Sequence, residues 1–200
     1  MGADGTLFLS SEYQIRAIDP EGTVIWTKPL AGPNFEPMVG LASDGTLRLF
    51  SAFSSVTSLD ADGSERWTID VPGLNRWQRM AISDDSTVYG GLDNQTDPEV
   101  KNGVVAIGSN GTIKWIFEAI GQIGREIAID DLGTVYFASS LNEDDHNNLY
   151  AVNSNGSLKW GKRIAQEWMG TVISIGTDGT VFVLEKNNSL LALDINGSTI

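Results

Sequence analysis

Side chains able to do chemistry are few in this chain and unevenly placed. It has one histidine, His146, and no cysteine. Without thiols there is no disulfide, no thiolate metal site and no cysteine nucleophile. His146 closes the run Glu143-Asp144-Asp145-His146, which carries the donor types a divalent cation takes. Adjacent side chains rarely converge on one ion, so the run reads as a solvated loop. A Ser-His-Asp triad would have to use this histidine, and no nucleophile-elbow motif accompanies it. The turn Asp60-Ala61-Asp62-Gly63 has acids at calcium-loop spacing, but Trp67 follows where a bidentate acid is needed. The same turn elsewhere is Asn155-Gly156 or Asn196-Gly197, with fewer acids, so turn chemistry accounts for it. Catalytic, cofactor-binding and metal residues are therefore all assigned as none.

The elements that would position any site come from a repeat. One signature is a tight turn running into a strand: Asp4-Gly5-Thr6-Leu7, Asp44-Gly45-Thr46-Leu47, Asp85-Ser86-Thr87-Val88, Leu132-Gly133-Thr134-Val135 and Asp178-Gly179-Thr180-Val181. Successive copies are 40, 41, 47 and 46 residues apart. A second signature, Ala17-Ile18-Asp19…Gly22…Trp26, recurs as Ser58-Leu59-Asp60…Gly63…Trp67, Ala106-Ile107-Gly108…Gly111…Trp115 and Ala151-Val152-Asn153…Gly156…Trp160. A further copy begins at Ala192-Leu193-Asp194…Gly197. Four of the six tryptophans thus fall in one repeat column.

Each unit reads as four short strands, a to d, separated by Gly, Asp and Asn turns. Strand b is apolar on both faces, with Phe8, Arg48, Tyr89, Tyr136 and Phe182 forming one of its columns. Both faces of such a strand need covering by neighbours. No segment keeps a period of 3.6, so no long helix is predicted. Four strands every 40–48 residues predict an all-β fold, a β-propeller of four-stranded antiparallel blades. Residues 1–200 form one propeller domain with units at about 1–30, 31–71, 72–118, 119–164 and 165–200. The first and last units are incomplete, which favours a fragment of a larger propeller.

The pattern A-x-D-x-x-G-x-x-x-W resembles the pyrroloquinoline-quinone (PQQ) repeat, whose tryptophans dock between adjacent blades. The resemblance covers essentially the whole chain and implies docking roles for Trp26, Trp67, Trp115 and Trp160. The family includes quinoprotein dehydrogenases, an outer-membrane-assembly lipoprotein and exported propellers. It thereby implies a periplasmic, secreted or cell-surface setting. A quinoprotein dehydrogenase would need a vicinal disulfide over its cofactor, and this chain has no cysteine. PQQ is not expected to bind, and no other cofactor is expected.

Composition narrows the partners. Thirteen basic against 26 acidic residues give a net charge of −13, which excludes nucleic acid and anionic membrane surfaces as partners. At 41% hydrophobic the chain is too apolar for a disordered acidic tail. No apolar run reaches membrane-spanning length, and Met1-Gly2-Ala3-Asp4 is not the start of a signal peptide.

In an up-and-down sheet the a–b and c–d turns share one rim, and the b–c and d–a connections share the other. Only the second rim varies in length, and binding concentrates on variable loops of a rigid scaffold. Phe35, Arg76, Trp77, Arg79, Arg125 and Trp168 fall there and form the candidate binding rim, since interfaces favour Trp and Arg. The sequence thus points to a non-catalytic scaffold for a protein, peptide or glycan. Two alternatives stay open: a fragment of a quinoprotein dehydrogenase or other propeller enzyme, and a glycan-binding lectin-like module.

Overall fold

A computed structural model describes residues 1–11, 13–30, 38–50, 54–74, 80–93, 101–140, 148–164, 171–184 and 189–200, with the Arg125 side chain excepted. Among these residues there is no helix. Five antiparallel sheets follow one another along the chain. Sheet I holds β1 (Leu7–Ser11), β2 (Gln14–Ile18) and β3 (Val24–Pro29). Sheet II holds β4 (Met38–Leu41), β5 (Leu47–Phe50), β6 (Ser55–Leu59) and β7 (Glu65–Asp70). Sheet III holds β8 (Ala81–Ile82), β9 (Val88–Leu92), β10 (Gly103–Ile107) and β11 (Ile113–Glu118). Sheet IV holds β12 (Ile123–Ile129), β13 (Val135–Ser139), β14 (Leu149–Val152) and β15 (Leu158–Lys162). Sheet V holds β16 (Val172–Ile175), β17 (Val181–Leu184) and β18 (Leu190–Leu193), and a single bridge between Leu193 and Thr199 lies beyond β18.

Every connection within a sheet is a hairpin, so neighbours in sequence are neighbours in space. The c–d hairpins share one device. In sheet II the Gly63 amide donates to the Asp60 carbonyl, and Gly63 sits at φ 83°. The register between β6 and β7 shifts by one residue there, between Ser58 and Leu59. A left-handed residue closing a turn and feeding a bulge is the usual geometry of such a loop. The same shift occurs at Ala17/Ile18, Ala106/Ile107 and Ala151/Val152. The bulge keeps the outer-strand tryptophan opposite Ala17, Ser58, Ala106 and Ala151 in turn.

The sheets stack face to face, with a core between each consecutive pair. Ile15 of sheet I meets Leu47, Leu49 and Leu59 of sheet II. Phe50 and Val56 meet Val88, Val105 and Ile107. Tyr89 and Val104 meet Val135, Phe137 and Val152. Tyr136 and Leu149 meet Val181, Val183 and Leu193. Strands β5, β9 and β13 are buried along their whole length, as a strand between two similar sheets must be.

The outermost faces depart from that pattern. Leu7 and Leu9 of β1 are 43% and 53% exposed, whereas Leu47 and Leu49, their counterparts in β5, are 0% and 4%. At the far end Val172, Leu184 and Leu190 are also exposed. The sequence predicts strand b covered on both faces in every unit. Sheet I differs because no described sheet lies against its outer face.

Candidate functional site

The side chains that link one sheet to the next define the best-developed local chemistry. Each repeat tryptophan lies on an outer strand and reaches the c–d turn of the following sheet. The indole N–H of Trp26 donates to the Ala61 carbonyl at 2.8 Å. Trp67 donates to Ser109 at 2.8 Å, Trp115 to Ser154 at 2.9 Å and Trp160 to Ile195 at 3.0 Å. In each case the acceptor is the carbonyl two residues ahead of the turn glycine.

The glycine beneath the ring is required twice over. Gly63, Gly111, Gly156 and Gly197 all adopt φ between 82° and 86°, a region costly for other residues. A Cβ at those positions would come within 3.1, 2.8, 2.7 and 2.8 Å of the tryptophan seated there. The opposite side of the indole meets the strand-b column of its own sheet. Ring centroids are 6.1 Å apart for Phe8–Trp26, 5.7 Å for Tyr89–Trp115 and 5.8 Å for Tyr136–Trp160. Each of these three rings is therefore clamped between an aromatic and a glycine. The repeat predicts indoles that are mostly buried, and all four are.

Sheet II replaces the aromatic with Arg48, whose guanidinium carbon lies 5.2 Å from the Trp67 ring centre. Arg48 is fully buried and donates to Ser58 Oγ at 2.7 Å, to Asp44 Oδ2 at 3.3 Å and to Thr46 Oγ1. A buried guanidinium needs such partners. Burial alone would raise the Asp44 carboxyl, but the Thr46 hydroxyl and amide and the Arg48 charge outweigh it and hold it low. Lysines add a second tie at two junctions, Lys28 Nζ to the Gly63 carbonyl and Lys162 Nζ to the Gly197 carbonyl.

The a–b turns form the other half of this rim. Between sheets II and III they are latched: Ser86 Oγ lies 2.9 Å from Ser43 Oγ and accepts from the Asp44 amide at 3.1 Å. Ser43 Oγ also donates to the Asp84 carbonyl. Ser86 stands where the other a–b turns carry glycine and takes φ 61°. Between sheets III and IV there is instead a cleft of about 350 Å³ that includes Asp84, Asp85, Asp130 and Asp131 in its lining. A second, of about 370 Å³, lies between sheets IV and V and includes Asp130, Asp131 and Asp178.

Three of these carboxylates, Asp85, Asp130 and Asp178, already have work in their own turns. Asp85 accepts from Ser83 Oγ, the Thr87 amide and Lys114 Nζ. Burial would raise its pKa, but those donors outweigh it and hold the group far below the usual carboxylate range. Asp130 accepts from the Thr134 amide and from Tyr136 Oη at 2.9 Å. Burial first, and that bond second, push the Tyr136 phenol up. Asp62 takes the Ser64 amide and hydroxyl. Among the described residues no cluster of three or more His, Asp or Glu is arranged to hold a metal.

The other candidates lie outside the description. Phe35, Arg76, Trp77, Arg79 and Trp168, together with the Glu143–His146 run, lie outside the described residues. Arg125 is in β12, without a described side chain. The roles of Gly63, Gly111, Gly156 and Gly197 as seats for the indoles were hidden in sequence, where turn geometry explains a glycine completely. Their constant spacing ahead of tryptophan was the available signal.

No curated protein has a significantly similar sequence. Among solved structures, virginiamycin B lyase from Staphylococcus aureus is similar over 100% of this chain and 67% of its own, at 16% identity and a TM-score of 0.73. Dihydro-heme d1 dehydrogenase NirN, at 16% identity and a TM-score of 0.71, is matched over 100% of this chain and 44% of its own. BamB from Moraxella catarrhalis is matched over 98% of this chain and 66% of its own, at 16% identity and a TM-score of 0.52. These structural likenesses show a propeller-type fold, of which this chain spans about two thirds in the lyase and BamB. Residues 11–119 and 100–199 match the family described as outer membrane protein assembly factor BamB, and the chain belongs to this PQQ-repeat family.

Proposed function

We propose that the chain is a non-catalytic binding scaffold, working outside the cytoplasm and recognising a protein partner on its variable rim. One observation carries the reading: the chemically capable side chains of the repeat are spent on building it. Four indoles join sheets, and Asp44, Asp62, Asp85 and Asp130 serve as acceptors inside or beside their own turns. The family's name, an assembly factor, supports a protein partner and an extracytoplasmic setting. No helix of the described residues is long and apolar enough to cross a membrane. On this reading the five sheets belong to a larger ring, and Phe35, Arg76, Trp77, Arg79, Arg125 and Trp168 form its binding rim.

PQQ does not suit the two clefts that the described residues form. It is a tricarboxylate, and both clefts between sheets are lined by carboxylates, whose like charge opposes it. A second reading, part of a propeller enzyme, is favoured by the likeness to a lyase and a dehydrogenase. A glycan could also occupy the rim.

The test compares the chain with a Trp77→Ala, Arg125→Ala double variant, titrated against a polyglutamate peptide and a carboxylated oligosaccharide. Binding of the peptide by the parent, lost in a variant that melts normally, supports the rim. Equal binding by both removes the rim assignment, and preference for the oligosaccharide moves the reading to a lectin. Incubation with PQQ and calcium gives no stoichiometric red-shifted quinone spectrum if the scaffold reading holds; such a spectrum overturns it.

A further inference from the structure

Four asparagine–glycine pairs occur in the chain: Asn102-Gly103, Asn110-Gly111, Asn155-Gly156 and Asn196-Gly197. Such a pair can react with itself, because glycine has no side chain to keep its amide nitrogen from the neighbouring carboxamide. How readily each pair reacts depends on what holds the carboxamide and the amide. The four are held differently.

Asn102-Gly103 is locked into a sheet. Gly103 begins β10, is buried, and pairs with Leu92 on one side and Glu118 on the other. The other three pairs close c–d turns, where each glycine amide donates to the carbonyl three residues back. Gly111 donates to Gly108 at 2.9 Å, Gly156 to Asn153 at 2.8 Å and Gly197 to Asp194 at 2.9 Å, so the nitrogen is restrained alike in all three. The carboxamides are not. Asn110 Oδ1 accepts from the Thr112 amide at 3.1 Å and its hydroxyl at 2.7 Å. Asn155 Oδ1 accepts from the Ser157 amide at 3.0 Å and its hydroxyl at 2.7 Å. Ser198, in the same place, gives its amide to Asp194 Oδ1 at 2.8 Å. Asn196 is exposed, and among the described residues no group bonds its carboxamide.

The first residue of the turn makes the difference. Gly108 has no side chain to compete for the later amide, and Asn153 spends its Nδ2 on the Ser157 hydroxyl. An aspartate there can take the amide, as Asp19 takes that of Thr23 at 2.7 Å in sheet I. Asp60 of sheet II is drawn off by Arg66, and Asp62 keeps the Ser64 amide. At the place of Arg66, sheet V carries the uncharged Ile200.

We propose that Asn196 is a site of spontaneous deamidation, selected among the asparagine–glycine pairs by Asp194. The Gly197 nitrogen loses its proton to water and attacks Cγ of Asn196. The new N–C bond closes a succinimide ring as the Cγ–Nδ2 bond breaks, and the leaving group departs as ammonia after taking up a proton. Water then opens the ring at either carbonyl, leaving aspartate or isoaspartate at 196. A held carboxamide must break two hydrogen bonds before its carbon can turn to the glycine nitrogen, and Asn196 breaks none. The turn tolerates aspartate, since Asp62 stands at the equivalent position of sheet II and accepts from Ser64. Isoaspartate lengthens the main chain by one carbon just ahead of Gly197, where an added Cβ already comes within 2.8 Å of Trp160.

The test holds the full chain in mildly alkaline buffer and follows each peptide by mass and elution, which separates the two products. Asn196 is expected to lose its carboxamide at least about fivefold faster than Asn110 or Asn155, the factor for opening one ordinary hydrogen bond. In the urea-unfolded chain the three rates should converge. Asp194→Asn copies Asn153 and should slow Asn196 to the rate of Asn155. Removing the Asp194 charge by itself would ease loss of the Gly197 proton, so a slowing reports the restored bond. Equal rates in the folded chain overturn the proposal, as does a difference that persists in urea. A rate at Asn196 that Asp194→Asn leaves unchanged or raises overturns it as well.

Discussion

The junction between sheets II and III and the outer face of sheet I are built from the same repeat columns, and they behave differently. At the junction, Trp67 sits on Gly111, Arg48 covers its other side, and Ser43 and Ser86 latch the turns. On sheet I, Leu7, Leu9 and Gly22, whose counterparts at the junction are the buried Val88, Gly90 and Gly111, face outward. Equivalent positions of the repeat are therefore core in one place and surface in the other. What decides is the presence of a neighbouring sheet, because burial is a property of two surfaces together.

The sharpest way to break the comparison is to remove a seated ring. Trp115→Ala is expected to cost about 3 kcal/mol, the low end for a large aromatic because the indole is not fully buried. Urea denaturation checks this; a loss below about 1 kcal/mol would show that the seat adds little. The next test sets two equivalent leucines against each other. Leu47→Ala should cost about 2–3 kcal/mol by leaving a cavity between sheets I and II. Leu7→Ala, on the open face, should stay within about 0.5 kcal/mol. Equal losses would mean that sheet I is covered after all.

A smaller effect is expected at the latch. Ser86→Ala keeps the positive φ but removes the hydroxyl that meets Ser43 and Asp44, and should cost about 1 kcal/mol. Thermal melting of Ser86→Ala beside Ser86→Gly sharpens the point, since glycine relieves the backbone strain that the serine carries. The smallest expected effect is on pH. Asp44 and Asp85 have folded pKa values held below the ordinary one, so the unfolded chain binds protons more readily. Their contribution is complete above about pH 4 and is lost as pH falls through the folded values. Asp44→Asn should flatten that acid limb of a stability–pH curve, and an unchanged slope would remove Asp44 from the account.

Much of this architecture is legible in the residues alone. The recurrence of Gly-Thr turns and of tryptophan fixes the number of repeats in view, the strand positions and the family. Those are local properties: a turn needs its glycine, and a pleated strand needs alternating or continuous apolar residues. The unequal lengths of the loops between strands are legible as well.

Other features come only from assembling the sheets. Nothing local distinguishes Gly22 from Gly63, since both close the same turn with the same φ. Only a preceding sheet makes one a covered seat and leaves the other open. Arg48 reads as an odd member of an aromatic column until Trp67, Ser58 and Asp44 are brought around it. Ser86 reads as a lost glycine until Ser43, forty-three residues away, meets its hydroxyl. The sequence by itself determined the repeat, its strands and its turns, because these depend on near neighbours. Which surfaces are core, which seat is open and which turns are latched were decided by contacts between sheets, which no single repeat contains.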